Sequence, residues 1–308
     1  PGGGAGRRLS AGIGKDRKRC TYAGQALARG HPDIRRSGGS RQRITSVRSE
    51  YMSTVQAIRT VLFYLLLSAS AFVWGTLSFF IAPILPFRAR YRFVVQNWCR
   101  FAIWLARVVA GIRYEVRGLE NIPEKPCVIL SKHQSTWETF FLSGFFEPLS
   151  QVLKRELLYV PFFGWALALL KPIAIDRSQP KLALKQLAKQ GDECLKKGAW
   201  VLIFPEGTRI PVGQMGKFSR GGTALAVNAG LPVLPIAHNA GQYWPKAGWA
   251  KYPGTIQVVI GPAMHAEGEG PRAIAELNQR AEAWVSETMA EISPIQQRVS
   301  HPEPSVVS

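Results

Sequence analysis

Cysteine is scarce in this chain. Its 308 residues carry four (Cys20, Cys99, Cys127 and Cys194), widely spaced and with no CxxC pair. That argues against a disulfide framework or a thiolate zinc site and fits a reducing compartment. Acidic residues are also few, 20 Asp and Glu against 39 Lys and Arg, for a formal net charge of +19. Several chemistry-bearing motifs are missing: there is no HExxH, no P-loop, no G-x-S-x-G elbow and no strand-linked GxGxxG. Metal, nucleotide and elbow-serine chemistry therefore lose ground.

The basic charge is unevenly placed. Residues 1–50 hold 12 Lys and Arg against three acids, are rich in Gly, Ser and Arg, and lack apolar periodicity. Low hydrophobicity with high net charge predicts a disordered extension. The segment begins with Pro1, and the first methionine is Met52. The expectation is therefore a natural start at Met52, with residues 1–50 an over-extended translation. Read as a nucleic-acid-binding arm, the segment lacks interleaved aromatics, Tyr22 being its one ring, so no nucleic-acid partner is expected. The remaining chain has 27 basic and 17 acidic residues. With 46% hydrophobic residues overall, that excess points to an anionic membrane surface or an anionic substrate.

No charged residue falls between Arg59 and Arg88, a run of 28 mostly apolar positions. That exceeds the roughly 20 needed to cross a bilayer core. Pro83 and Pro86 end or kink the helix. Basic residues flank both ends, so the positive-inside rule chooses no orientation. In residues 93–112, Arg100 and Arg107 share one helical face, while Val94, Trp98, Phe101, Leu105, Val108 and Ile112 form an apolar side. Two arginines suit an interfacial helix better than a spanning one. Residues 51–112 are accordingly expected to be a membrane-associated helical hairpin.

From 113 to 293 the pattern is that of one α/β domain. Strands are expected at 127–130, 151–153, 172–175, 200–204, 233–236 and 255–260. Helices are expected at 139–147, 157–170, 180–197, 220–229 and 271–292. Alternation of the two predicts a mixed, largely parallel sheet flanked by helices. The tail 294–308, with Pro and Ser but no periodicity, is expected to be flexible.

Four strand-end stretches could carry chemistry. In SKHQSTWETF, His133 stands five positions before Glu138; base, metal ligand and half-buried filler all stay open on these residues alone. With His133 in the loop and Glu138 in the first turn of the next helix, the carboxylate can fix the imidazole tautomer and leave the other nitrogen as a base. In WVLIFPEGTR, an apolar strand runs into Glu206-Gly207-Thr208-Arg209, where open α/β sheets bind ligands and an arginine can grip phosphate. KPIAIDRSQ ends a strand in Asp176-Arg177. AGLPVLPIAHN carries two prolines, the mark of an edge or irregular strand, and its His238 reads as structural. Lys154 and Arg155 follow another short strand.

Taken in order, His133-x4-Glu138, Ile175-Asp176-Arg177, Phe204-Pro205-Glu206-Gly207-Thr208-Arg209 and Leu231-Pro232-Val233-Leu234-Pro235 resemble the four blocks of the glycerolipid acyltransferase family. The resemblance covers residues 125–240. The first block departs from the family's commoner His-x4-Asp, which puts its geometry in question rather than the class of activity. The resemblance implies transfer of an acyl chain from acyl-CoA or acyl carrier protein to the sn-2 hydroxyl of 1-acyl-sn-glycerol 3-phosphate, giving phosphatidic acid. It implies no metal and no cofactor beyond the acyl thioester. His133 is then the general base, oriented by Glu138. Glu206, Gly207, Thr208 and Arg209 are the glycerol-phosphate site, and Arg177 and Lys154 are further phosphate or oxyanion contacts. The implied location is the inner face of the cytoplasmic membrane, the catalytic domain facing the cytosol. Rival readings are another acyl acceptor, a serine esterase using Ser131 or Ser135, and a catalytically silent lipid-binding protein.

Overall fold

The computed structural model describes residues 53–160, 163–170, 172–175, 179–293 and 297–299. The expected disordered segment 1–50 lies outside these residues. Helix α1 (Thr54–Ile81) starts at Ser53, whose side chain accepts the Gln56 N–H, and gives way to a short 3-10 turn containing Pro83. The chain returns through α2 (Phe87–Tyr91), a π turn over Arg92–Asn97 and α3 (Trp98–Val108). α3 runs antiparallel to α1: Trp74 Nε1 donates to Phe93 O at 2.8 Å, Trp98 Nε1 to Ser70 Oγ at 3.3 Å, and Arg59 Nε to Val109 O at 2.7 Å.

The apolar side expected of residues 93–112 is divided between core and surface. Trp98 and Leu105 are buried, but Phe101 and Val108 are exposed, and burial centres on Cys99, Ala102 and Ala106. Because α3 is packed between α1 and α4, its small side chains turn inward where helices must approach closely. Nor does α3 reach Ile112. Gly111, at φ +75°, supports a left-handed turn that ends the helical run, and Ile112 opens a strand absent from the sequence reading.

That strand is β1 (Ile112–Arg117), followed by β2 (Val128–Ser131), α4 (Trp137–Phe145), β3 (Leu149–Lys154), α5 (Phe163–Ala168), β4 (Ile173–Ile175), α6 (Pro180–Lys196), β5 (Trp200–Ile203), β6 (Gln214–Gly216), α7 (Gly221–Asn228), β7 (Val233–His238), β8 (Gly254–Ile260), α8 (Gly270–Ile292) and β9 (Gln297–Val299). Seven strands form one sheet in the order β1-β8-β7-β2-β5-β3-β4. All its pairings are parallel except β7 with β8. The expected fold class holds.

Successive strand residues face opposite sides. Ile129, Leu202 and Leu234 pack with α3 and α4, while Val128, Val201 and Val233 pack with Leu187 of α6, Leu225 of α7 and Leu277 of α8. Both faces are thus covered, which is why these strands read as continuous apolar runs.

Three expectations need correction. β7 is an interior strand, not an edge, and all six of its residues are buried. Pro235 fits there because its carbonyl still accepts Gly261 N–H at 2.9 Å, so only its own missing donor is forgone. The helix expected over 157–170 is described as a 3-10 turn, Arg155–Tyr159, and α5; Pro161, which lacks an N–H, stands between them. Within the tail expected to be flexible, Gln297–Val299 pair with β6.

The base of α1 is seated on the α/β body. Lys251 N–H donates to Thr60 Oγ1, the Gln56 amide donates to Lys251 O, and Phe63 meets Trp244 edge-on at 5.1 Å. The Lys251 ammonium lies over the Tyr64 and Trp244 rings at 4.9 and 5.2 Å and donates to Trp249 O and Ala250 O. Phe63 is fully buried in this seat. Phe63→Ala removes its packing and leaves a cavity, at an expected cost of about 3–5 kcal/mol, to be read as a lower thermal unfolding midpoint in detergent.

Candidate active site

β2, β5 and β3 are parallel neighbours, so the loops after their carboxyl ends lie together, the place where open α/β sheets present ligand sites. The chain leaves β2 at Ser131, and Lys132 N–H still bonds Ile236 O at 2.9 Å. His133 follows at the start of the loop. Four residues later α4 begins, and Glu138 falls in its first turn.

The loop folds round one oxygen. Glu138 Oε1 accepts the Gln134 N–H at 2.8 Å and the Ser135 N–H at 2.7 Å, and lies 2.9 Å from His133 Nδ1. Ser135 and Glu138 have the spacing of a capping box, whose carboxylate satisfies backbone donors before the helix. Burial pushes the Glu138 carboxyl up, but the imidazoles of His238 and His133 and the Ser135 N–H outweigh it, and the group stays below the usual carboxylate range. An ionised acceptor on Nδ1 places the imidazole proton there. Nε2 is left with its lone pair, as a general base requires. The ring is further held by Phe204, stacked on it at 3.9 Å between centroids and 15° between planes. The His133 side chain keeps 16% of its surface exposed, while Glu138 keeps none.

The FPEGTR turn is tied to this loop from beneath. Glu206 Oε1 accepts from Lys132 Nζ at 2.7 Å and Gly216 N–H at 2.8 Å, and Glu206 Oε2 accepts from His133 N–H at 2.9 Å. Both side chains of the Lys132–Glu206 pair are fully buried. Burial lowers the Lys132 ammonium, opposed by Glu206. Glu206 therefore does not sit in the expected glycerol-phosphate position: its carboxylate points inward and is occupied in setting the His133 backbone. Gly207 adopts φ +68° with open space around it, so its turn needs glycine's freedom. Thr208 is exposed. Arg209 reaches back to the first loop, its guanidinium donating to Thr136 Oγ1 at 3.1 Å; Ile210 N–H bonds His133 O at 2.8 Å. Lys154 ends β3, its backbone opposite Ile175. Arg177 lies outside the described residues.

Two contributors escape sequence reasoning, and a third, His238, reads there as structural without its place at this loop. Lys132 looks like a solvated lysine, and Phe204 like the last apolar residue of its strand. His238, 1% exposed, contributes backbone order: burial lowers it below the usual imidazole range, Nε2–H donates to Lys132 O at 2.7 Å and Nδ1 accepts Ala240 N–H at 3.3 Å. Its location at the end of an apolar strand beside the first loop was the available signal.

The serine-nucleophile reading finds no support. Ser131 and Ser135 are fully buried; Ser131 Oγ donates to Lys132 O, and Ser135 Oγ accepts Trp137 N–H. Beyond Glu138, Thr139 and Phe140 of α4 line a cavity of about 430 Å³ bounded mainly by apolar side chains of α2, the π turn, α3, β3 and α5, among them Val95, Trp98, Leu153 and Leu167.

Comparison with known proteins bears on the family and the fold. The Acyltransferase family model matches residues 113–239. The human 1-acyl-sn-glycerol-3-phosphate acyltransferase alpha is 32% identical over 231 residues, 72% of this chain and 81% of the relative. The chain belongs to the acyltransferase family. A chloroplastic 1-acyl-sn-glycerol-3-phosphate acyltransferase of Brassica napus is 31% identical over 186 residues, which are 58% of this chain and 52% of that one. The chain thus spans about half the length of that plant relative. The crystal structure of the 1-acyl-sn-glycerophosphate acyltransferase of Thermotoga maritima shares the fold, with a TM-score of 0.64 at 24% identity, covering 77% of this chain and 95% of that one. The matched stretch of this acyltransferase runs from β1 to the loop after β7 and contains His133, Glu138, Glu206 and Arg209.

The depressed Glu138 carboxyl contributes stability above its ordinary pKa near 4.5. That contribution falls away as the pH drops through the lower folded value. Glu138→Gln is expected to unfold at lower temperature than wild type at neutral pH, and the gap should narrow below about pH 4.5. Thermal melts across that range in detergent check it; a gap independent of pH counts against an ionised, stabilising Glu138.

Proposed function

We propose that this acyltransferase moves an acyl chain from acyl-CoA or acyl carrier protein to the sn-2 hydroxyl of 1-acyl-sn-glycerol 3-phosphate, giving phosphatidic acid. The observation that carries the reading is the His133–Glu138 pair: a partly exposed imidazole whose Nδ1 is held by a fully buried carboxylate, beside the FPEGTR turn and an apolar cavity. His133 Nε2 takes the proton from the acceptor hydroxyl as its oxygen attacks the thioester carbonyl. The tetrahedral adduct collapses, the C–S bond breaks, and the proton on His133 passes to the departing thiolate. Glu138 balances the imidazolium formed between the two steps. No metal or redox cofactor enters this scheme; the acyl thioester is the only co-substrate.

Arg209 is the residue of the FPEGTR turn best placed to hold the acceptor phosphate, since it joins that turn to Thr136. A bidentate guanidinium suits a phosphate monoester. Thr208, Gly207 and the end of β3 at Lys154 border the same edge. The cavity under α4 falls within the range of small-molecule sites and has the apolar lining an acyl chain requires.

The apolar surface of the helical hairpin supports seating of this site at a lipid surface. α1 is long and apolar enough to cross a membrane, and Ile58, Leu65, Phe72 and Phe80 are exposed along it. Yet both its ends touch the body, Gln56 at Lys251 and Phe79 at Trp165. A helix of about 40 Å lying along its own domain fits seating in one leaflet better than a crossing. The body then stays on the cytosolic face of the cytoplasmic membrane, with the acyl donors.

An acceptor screen with labelled acyl-CoA in detergent micelles tests the reaction. His133→Ala is expected to lose roughly 10²–10⁴-fold in turnover, and equal turnover by both proteins overturns the mechanism. Arg209→Ala should raise KM for the phosphorylated acceptor far more than for a phosphate-free one; preference for the phosphate-free acceptor in wild type sinks the role of Arg209. Narrowing the cavity by Ala199→Phe is expected to shift donor preference towards shorter acyl chains, read by competition between donors of different length.

A further inference from the structure

A second hollow lies on the opposite side of α4 from the acyl cavity. It is a groove of about 420 Å³ between α3, α4 and β1, lined by Arg100, Arg107, Trp104, Tyr114 and Phe145 among others, with no acidic residue in its wall. Arg100 and Arg107 are two helical turns apart on α3 with Trp104 between them, so all three project along one edge of the helix. Arg100 is held in place: its Nε donates to Gly144 O at 2.9 Å, and Gly144 has no room for a side chain beside it without pressing on the Arg100 stem. Arg107 makes no hydrogen bond or ion pair among the described residues. Two guanidinium groups without an acidic partner therefore share a groove whose walls are otherwise largely aromatic.

The surroundings are those of a lipid-facing surface. Trp104 is 54% exposed and Tyr114 42% exposed, the residue types that collect at the headgroup level of bilayers. Val108 and Ile58, each next to one member of the Val109–Arg59 hydrogen bond, are both exposed, so the apolar surface of α1 continues onto α3 here. Nothing in the acyl-transfer scheme uses this groove.

We propose that it binds the phosphate headgroup of an anionic membrane phospholipid, separately from the catalytic site. The arginines hold the headgroup, Trp104 and Tyr114 pack on the glycerol region, and the tails run along the exposed apolar side of the hairpin. Charge complementarity selects the ligand class: a zwitterionic headgroup brings its own cation to a groove that already has two. The proposal rests on the seating of the hairpin in lipid and not on the reaction.

The test is made without any acyl donor, so its failure leaves acyl transfer untouched. The full chain in non-ionic detergent micelles is titrated with phosphatidylglycerol or phosphatidylcholine brominated in the acyl chains. Quenching due to Trp104 is isolated by subtracting the signal of Trp104→Phe. Half-quenching is expected at a several-fold lower mole fraction of phosphatidylglycerol than of phosphatidylcholine. Arg107→Gln, which breaks no hydrogen bond or ion pair among the described residues, is expected to cut that preference about fivefold, the share of one arginine beside an anionic lipid. Glycerol phosphate at millimolar concentration should not relieve the quenching. Equal quenching by the two lipids, an unchanged preference in Arg107→Gln, or displacement by free glycerol phosphate each overturns the proposal.

Discussion

A fully buried pair, one lysine and one glutamate, holds the site together. Lys132 and Glu206 meet at 2.7 Å, both fully buried, and neither charge would be tolerable there alone. They belong to loops that follow different strands, 74 positions apart in the chain. Because Glu206 also accepts from the backbone of His133 and Gly216, its carboxylate fixes the imidazole-bearing loop, the FPEGTR turn and the end of β6 at once. The His133 ring inherits its position from this contact before Glu138 or Phe204 adds anything. The residue that looks most like a substrate ligand in the sequence is thus the one that makes the loop rigid.

What the sequence reveals follows what each pattern must encode. Strands buried on both faces have to be apolar throughout, so β2, β5 and β7 stand out, and the alternation with helices gives the fold class. β1 does not: it is an edge strand, mostly exposed, whose charged and polar residues look like a linker, and only the φ of Gly111 separates it from α3. His133 and Glu138 are legible as a pair because their chemistry needs side chains of fixed type. Phe204 and Lys132 are not, because their roles arise from contacts across the sheet that no local spacing announces. His238 was read as structural, and it does serve to order backbone, though at the His133 loop rather than at a distance from it.

α4 has an unusual burden for nine residues. Its first turn supplies Glu138. Thr139 and Phe140 close the apolar cavity on one side, and Phe141, Gly144 and Phe145 close the groove on the other. Trp137 and Phe141 stack at 4.8 Å and tie the helix to Tyr114 of β1. The helix is a partition as much as a support, which explains why its composition is almost wholly aromatic and small: large rings seal two compartments, and Gly144 lets Arg100 lie against the backbone.

Glu138 gathers its donors from main-chain N–H groups at Gln134 and Ser135 and from one ring nitrogen. The identities of Gln134 and Ser135, two of the four residues between histidine and acid, are therefore invisible to the carboxylate. Any amino acid offers the same N–H, with one exception, proline, which has none. The spacing between histidine and acid is in this sense a measure of length and not of content. Content enters the gap through other contacts, Thr136 receiving Arg209 and Ser135 receiving the Trp137 N–H, so one oxygen sets how long the gap is while its neighbours choose what fills it.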